Sequence, residues 1–251
     1  MRTIPVALAI LALCGAALAA ETTDTHRVKA GKAKSAVLRL SCPVGQFNIQ
    51  GGGKVLFDGA FHYTRPEWKP ELEYRVDNDK GRLTIDVPEG SKDLSDPDRN
   101  QWDLVLGDDI PLDIKLEFGA GEGQFDMTGL DLTRLEVDMG AGDIVLDLAD
   151  TSIPSLDIEA GVGRAQIDLS GSWDNDLDAE FKCGIGELVL ILPPDVGARI
   201  EVNGGLGHVS AHGFNEHNGT YTNGAYNGKG PTLDISIVGG LGSIRLQEAK
   251  D

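Results

Sequence analysis

The sequence predicts an all-β chain, and the expected architecture is a parallel β-solenoid (β-helix-like) of about seven glycine-cornered coils. Three observations carry that expectation. Gly-x-Gly recurs at Gly119-Ala120-Gly121, Gly140-Ala141-Gly142 and Gly161-Val162-Gly163, each copy 21 residues after the last. Around each copy apolar and polar residues alternate, as in LEVDMGAGDIVLDLAD from Leu135 to Asp150. No Asn-Gly hairpin turn separates these repeats. Alternation of period two marks strands with one buried face, and glycine between them permits a sharp corner. Such strands bury their inner faces only by stacking, each about 4.8 Å above the last. An antiparallel β-sandwich is the alternative, since alternation with glycine turns also suits it.

The elements follow in order. Residues 1–20 combine Arg2, an apolar run from Ile4 to Leu13 and the small-residue site Ala17-Leu18-Ala19. That pattern is a secretory signal peptide cleaved near Ala19 or Ala20, so a periplasmic or extracellular location is expected. Cys14 follows Leu13, where lipoprotein processing wants Gly, Ala or Ser. No later run reaches the ~18 apolar residues of a membrane helix. Residues 21–34 read as a flexible lead-in, and 35–251 as the solenoid domain. Residues 38–49 are an early copy of the repeat, with Cys42 in the place of Ala120 and Phe47 in that of Phe125. An irregular insert, 52–111, carries Phe57, Phe61, Tyr63, Trp68, Tyr74 and Trp102.

The regular run continues to Leu190 on the same 21-residue period, which sets Lys182-Cys183-Gly184 as the fourth copy. In that register Leu116, Val137, Ile158 and Ala179 align, as do Phe125, Leu146, Ile167 and Leu188, and Asp126, Asp147 and Asp168. Gly205-Leu206-Gly207 and Gly240-Leu241-Gly242 follow, separated by a polar Gly/Asn/Tyr loop at 213–231. The structural turn glycines are therefore Gly119, Gly121, Gly140, Gly142, Gly161, Gly163, Gly184, Gly205, Gly207, Gly240 and Gly242.

The run NQWDLVLGDDIPLDIKLEFGAGEGQFDMTGLDL, then LEVDMGAGDIVLDL, then VGGLGSIRL, resembles the bacterial toast-rack domain family. That family is similar in turn to the C-terminal domain of LiaF-like envelope-stress proteins and to adhesin-type domains. The resemblance covers roughly 36–247 and includes the Trp102…Pro111…Gly-x-Gly pattern. It implies a β-helical envelope protein with no established activity. LiaF-like regulators carry membrane helices before this domain, and this sequence shows none.

A formal net charge of −18 repels nucleic acid and anionic lipid and favours cations or basic partners. Gly119-Ala120-Gly121-Glu122-Gly123 lacks the following helix that a nucleotide turn needs. His208, His212 and His217 are a candidate metal cluster by count, but the first two lie ~13 Å apart on a strand. Cys42 and Cys183 fall at the x of their repeats, a place for a small buried hydrophobe. No Gly-x-Ser-x-Gly is present, and Asp96, Asp98, Asp108 and Asp109 sit in turn-forming loops. The insert's aromatic residues suit a cap on the open core, with a glycan-stacking platform as the alternative.

The most informative pattern is charge. Glu117, Asp138, Glu159 and Glu180 are expected to form one outward column, and Glu136, Asp157, Asp178 and Glu201 a second. Like charges opposite one another destabilise a sheet, by roughly 0.8 kcal/mol per pair at ~5 Å in water. Eight carboxylates held together point to a face for cations or a basic partner, with weak Ca²⁺ binding through oxygen ligands as one form. The expected function is a non-catalytic envelope protein of binding or adhesion type, with an envelope protein or glycan as partner, no cofactor and no firm metal site. An envelope-stress signalling module and a glycan-active enzyme are the alternatives.

Overall fold

The computed structural model describes residues 21–88 and 98–250; the signal-peptide segment 1–20 and Asp96 lie outside them. The first half supplies β1 (Thr22–Val28), β2 (Ser35–Gly53), β3 (Phe57–Tyr63), a 3₁₀ turn at Pro66–Trp68, β4 (Glu71–Asp77), β5 (Lys80–Asp86) and β6 (Asn100–Gly107). Four long strands follow, β7 (Leu112–Asp126), β8 (Leu132–Asp147), β9 (Ser155–Asp168) and β10 (Leu177–Leu192). The chain ends with β11 (Gly197–Asn203), β12 (Leu206–His212), β13 (Asn215–His217), β14 (Thr220–Thr222) and β15 (Thr232–Glu248). All belong to one large, mostly parallel sheet, which overturns the antiparallel sandwich. Its centre is the parallel stack β2-β7-β8-β9-β10-β15.

Each long strand turns a corner at its glycines. In β7 the buried residues before the corner are Leu112, Ile114, Leu116 and Phe118, whereas after it they are Gly123 and Phe125. The inward parity switches from even to odd numbers, so both legs of the strand face one core. Gly121, Gly142, Gly163 and Gly186 make the switch at φ of 144°, 140°, 142° and 148°, which side chains resist. A Cβ at Gly142 would also overlap the carbonyl oxygen of Gly121 on the neighbouring strand. Turns close the third side of the core. Asp126, Asp147 and Asp168 each accept a hydrogen bond from the backbone N–H two residues on, at 3.1, 3.0 and 2.9 Å. These are Asx-turns, and they explain why the aspartates recur.

The register departs from the sequence expectation in three places. Ile158 pairs with Phe181 and Ile167 with Leu190, an offset of 23 residues. Ala179 and Leu188 therefore lie opposite Leu156 and Ala165. The two extra residues sit in the turn before β10, where Trp173 is buried and donates its indole N–H to the Leu169 carbonyl at 2.9 Å. The β10 corner is accordingly Gly184-Ile185-Gly186. In β2, Cys42 pairs with Phe118 and Phe47 with Gly123, because Pro43-Val44-Gly45 forms the corner. Proline is tolerated there because β5 ends opposite Ser41 and β6 starts opposite Gln46, leaving Pro43 no outer strand to bond. Finally, β15 inserts between β10 and the β11/β12 pair, so the Gly205 and Gly207 corner is outermost.

Segments expected to be irregular form strands. The lead-in at 21–34 contains β1, antiparallel to β3, and the insert at 52–111 supplies β3 to β6. The polar loop carries an Asn218-Gly219 turn (φ 50° and 79°) joining β13 to β14, which extends the sheet beyond β11. Phe57, Phe61, Trp68 and Trp102 are fully buried. Phe61 meets Trp102 edge-on at 5.1 Å, and Phe47 stacks on Phe118 at 3.8 Å. With their faces covered they close the core end, and the glycan platform is overturned. Asn100 ties this cap to the first corner, donating to the Val44 carbonyl at 2.7 Å and accepting the Trp102 indole N–H at 3.2 Å. Cys42 and Cys183 are free and four strand spacings apart, about 19 Å.

The insertion of β15 is open to a direct check. In a Cys42→Ser, Cys183→Ser background, Lys182→Cys with Val238→Cys should form a disulfide, since the two residues are partners. Lys182→Cys with Asn203→Cys should not, being two strands or ~10 Å apart. Non-reducing electrophoresis reads both, and the reverse outcome would restore sequence-order stacking.

Candidate functional site

The outward face of the first leg carries the charge. Strand register aligns Glu117, Asp138, Glu159 and Lys182 in one column, and Lys115, Glu136, Asp157 and Glu180 in the next. The longer turn before β10 moves Glu180 beside Asp157 rather than Glu159. It sets Asp178 opposite Ser155, outside both columns, and Glu201 beyond Ser236 in line with Glu180. The expected grouping of eight acids thus becomes six close together, with Asp178 and Glu201 off to one side.

Those acids share the face with cations that an inspection of acids alone overlooks. The Lys115 ammonium lies 2.6 Å from Glu136, 3.1 Å from Glu117 and 3.3 Å from Asp138. Arg134 bridges Glu136 at 3.3 Å and Asp157 at 2.8 Å, and Lys182 pairs with Glu180 at 2.9 Å. Arg199 joins Glu201 and Asp234 at 3.0 and 2.8 Å. Among the described residues, Glu159 and Asp178 meet no cationic side chain within 4.0 Å. The repulsion expected of bare columns is therefore partly offset across neighbouring strands.

The network leaves its mark on proton affinities. The hydrogen bond from Lys115 holds the Glu136 carboxyl below the usual range, and the bond to Glu136 pushes Lys115 up in turn. Asp86 is pushed up, first by burial and then by Glu117 and Glu71. A groove of about 680 Å³ runs beside the acids, walled by Glu117, Asp138 and Glu159 and floored by Phe118, Met139 and the corner glycines.

The remaining candidates do not converge. Asp98 pairs with Arg65, and Asp109 lines a separate hollow with Lys29 and Lys54. His208 and His212 are exposed on β12, while His217 is on β13. Among the described residues no group of three or more His, Cys, Asp or Glu side chains is arranged to hold a metal ion, so the weak Ca²⁺ expectation finds no clustered ligand set. Burial pushes the Cys42 thiol up to about 12 and the Cys183 thiol up to about 11, which makes both poor nucleophiles. Among the described residues no helix is long and apolar enough to cross a membrane.

A mostly parallel, glycine-cornered sheet with a charged outer face defines the class of protein. The chain belongs to the family described as the N-terminal domain of toast_rack, DUF2154, whose model matches residues 18–152 and 133–191. Among solved structures it is similar to one described as a "putative cell adhesion protein" from Clostridium sporogenes, at 29% identity and a TM-score of 0.72. That match covers 92% of this chain and 100% of the other. A "putative adhesin" from Bacteroides fragilis aligns over 90% of this chain and 97% of its own, at 11% identity and a TM-score of 0.33, too distant to carry weight. Neither is described as an enzyme. No curated protein matches the chain.

Lys115→Met tests the network. The variant should lose about 1 kcal/mol of stability at neutral pH. Glu136 has a lowered pKa, so its contribution is present above the unfolded carboxylate value and lost as pH falls through the folded one. Lys115 has a raised pKa, so its contribution holds until pH rises past the ordinary lysine range. Urea denaturation should show a constant gap between variant and wild type from about pH 6 to 9 that closes below about pH 4. An equal gap at pH 3 and pH 7 would remove the network.

Proposed function

We propose that the chain is a non-catalytic, exported cell-envelope protein of adhesion type, a β-solenoid of about seven coils that presents its charged face to a basic partner. The observation that carries this reading is the face itself. Glu117, Asp138, Glu159, Glu136, Asp157 and Glu180 set six carboxylates against Lys115, Arg134 and Lys182 on adjoining strands. The backbone holds the excess negative charge at a fixed ~4.8 Å repeat, a pattern that an extended cationic surface can match. The printed description of the Clostridium sporogenes relative, a "putative cell adhesion protein", supports the same class. The partner is an envelope protein or glycan bearing positive charge, and attraction of this kind speeds encounter and weakens with salt.

Glu136→Gln, Asp138→Asn, Asp157→Asn and Glu159→Gln together neutralise the face. Pull-down from envelope fractions with the chain lacking residues 1–20 should recover a salt-sensitive partner with wild type and lose it with the variant. A parallel melt in millimolar Ca²⁺ against NaCl of equal ionic strength should show no excess shift for calcium. Equal recovery by the folded variant would contradict the proposal, and an excess calcium shift abolished by the substitutions would replace the partner with the ion.

A further inference from the structure

The corner is also a surface. Between the two glycine columns one side chain per strand projects, in the register Ala120, Ala141, Val162, Ile185, Leu241. Cys42 is buried as expected, off the x position, and Val44 at the first corner is buried too, but on the later strands the x positions are not buried sites: Val162, Ile185 and Leu241 are 51%, 53% and 50% exposed. Val238, outward on the same strand as Leu241, is 43% exposed. These four, of the seven large exposed hydrophobics among the described residues, lie on three adjacent strands. Scattered apolar side chains need no explanation, but a contiguous ridge does.

The flanking charges change where the ridge becomes apolar. On β7 and β8 both flanks are acidic, Glu117 with Glu122 and Asp138 with Asp143, and only alanine stands between them. On β9 the flanks are Glu159 and Arg164, and on β10 they are Lys182 and Glu187. The signs balance here, within a chain of net charge −18. A second copy can approach this region without the repulsion it meets over the acidic face.

We infer that the Val162-Ile185-Leu241 ridge is a self-association surface on which two copies meet with strands in the same order, about a two-fold axis parallel to the ridge. That axis turns the flank before the corner toward the second copy's flank after it. Glu159 then faces the partner's Arg164, and Lys182 faces the partner's Glu187. The opposite arrangement, centred on Ile185 with strand order reversed, sets Lys182 against the partner's Lys182 and Glu187 against the partner's Glu187. Within one chain Glu187 already accepts from Arg164 at 2.7 Å and Arg245 at 2.8 Å, so the row after the corner is left net positive toward the second copy's Glu159, and the aliphatic side chains supply the contact. The acidic strands β7 and β8 repel and confine the contact to β9, β10 and β15.

Two strand spacings give a ridge only ~10 Å long, well short of the ~800 Å² per partner of a stable complex. The dimer is weak in dilute solution and grows in where copies are crowded together. Sedimentation equilibrium of the chain lacking residues 1–20 should show a dimer fraction rising between about 10 μM and 1 mM. Ile185→Asp should remain monomeric with an unchanged melting temperature; if it fails to fold, Ile185→Thr carries the same test with a smaller loss. In a Cys42→Ser, Cys183→Ser background, Val162→Cys should cross-link to a second copy of itself. A monomer at 1 mM, or association unaffected by the Ile185 substitutions, would overturn the inference. So would Val162→Cys cross-linking only to a copy carrying Leu241→Cys, the outcome of the reversed order.

Discussion

Glycine stacked on glycine is the constraint on which the rest of this structure depends. At the corner of each long strand, the Cα of Gly121, Gly142, Gly163 and Gly186 approaches the carbonyl of the preceding strand where any side chain would overlap it. The same residues adopt positive φ, so steric space and backbone conformation make one demand together. Once it is met, the strand reverses its inward parity and both legs bury their apolar side chains in one core. The outward residues are then locked in columns at a fixed spacing. Neither the charged face nor the apolar ridge exists without that alignment.

The corner was legible in the sequence because glycine there answers to a single cause, repeated strand after strand. The aspartates of the Asx-turns recur for an equally local reason, so their alignment at Asp126, Asp147 and Asp168 was visible too. Register beyond β9 was not legible, since two extra residues in the turn around Trp173 slide β10 past the period that the earlier strands establish. Nor does a period say which strand lies beside which. The placement of β15 between β10 and β11/β12 is set by pairing across a long return, and no local signal records it. The strands of the cap escaped because, although β3 and β6 bury every second residue, they carry no copy of the 21-residue period and pair with each other antiparallel around Trp102 and Phe61.

The candidate face was half legible. Its acids stood out in columns, but Lys115 and Lys182 belong to those same columns, Arg39 lies beyond Lys115 on β2, and Arg134 bridges beside them. A column of like charges on stacked strands is tenable because cations at its margin reach several carboxylates at once, as Lys115 does with Glu117, Glu136 and Asp138. The net excess of negative charge survives this pairing, and Glu159 stands at its least neutralised point. Binding by such a face depends on a partner's charge spacing more than on a shaped pocket, which suits adhesion better than catalysis.

The central claim is that the corner glycines are required by the strand beneath them as well as by backbone conformation, and two single substitutions separate the causes. Gly129 has φ of 73° with nothing within 4 Å of an added Cβ, whereas Gly140 has no positive φ and an added Cβ there would lie 2.5 Å from the Gly119 carbonyl oxygen. Urea denaturation of Gly129→Ala should show a loss of about 1 kcal/mol, from backbone strain alone. Gly140→Ala should lose about 1–3 kcal/mol, from overpacking against a fixed backbone alone. A Gly140→Ala variant as stable as wild type would mean that the stack does not press on its corners, and the account built on that contact would fail.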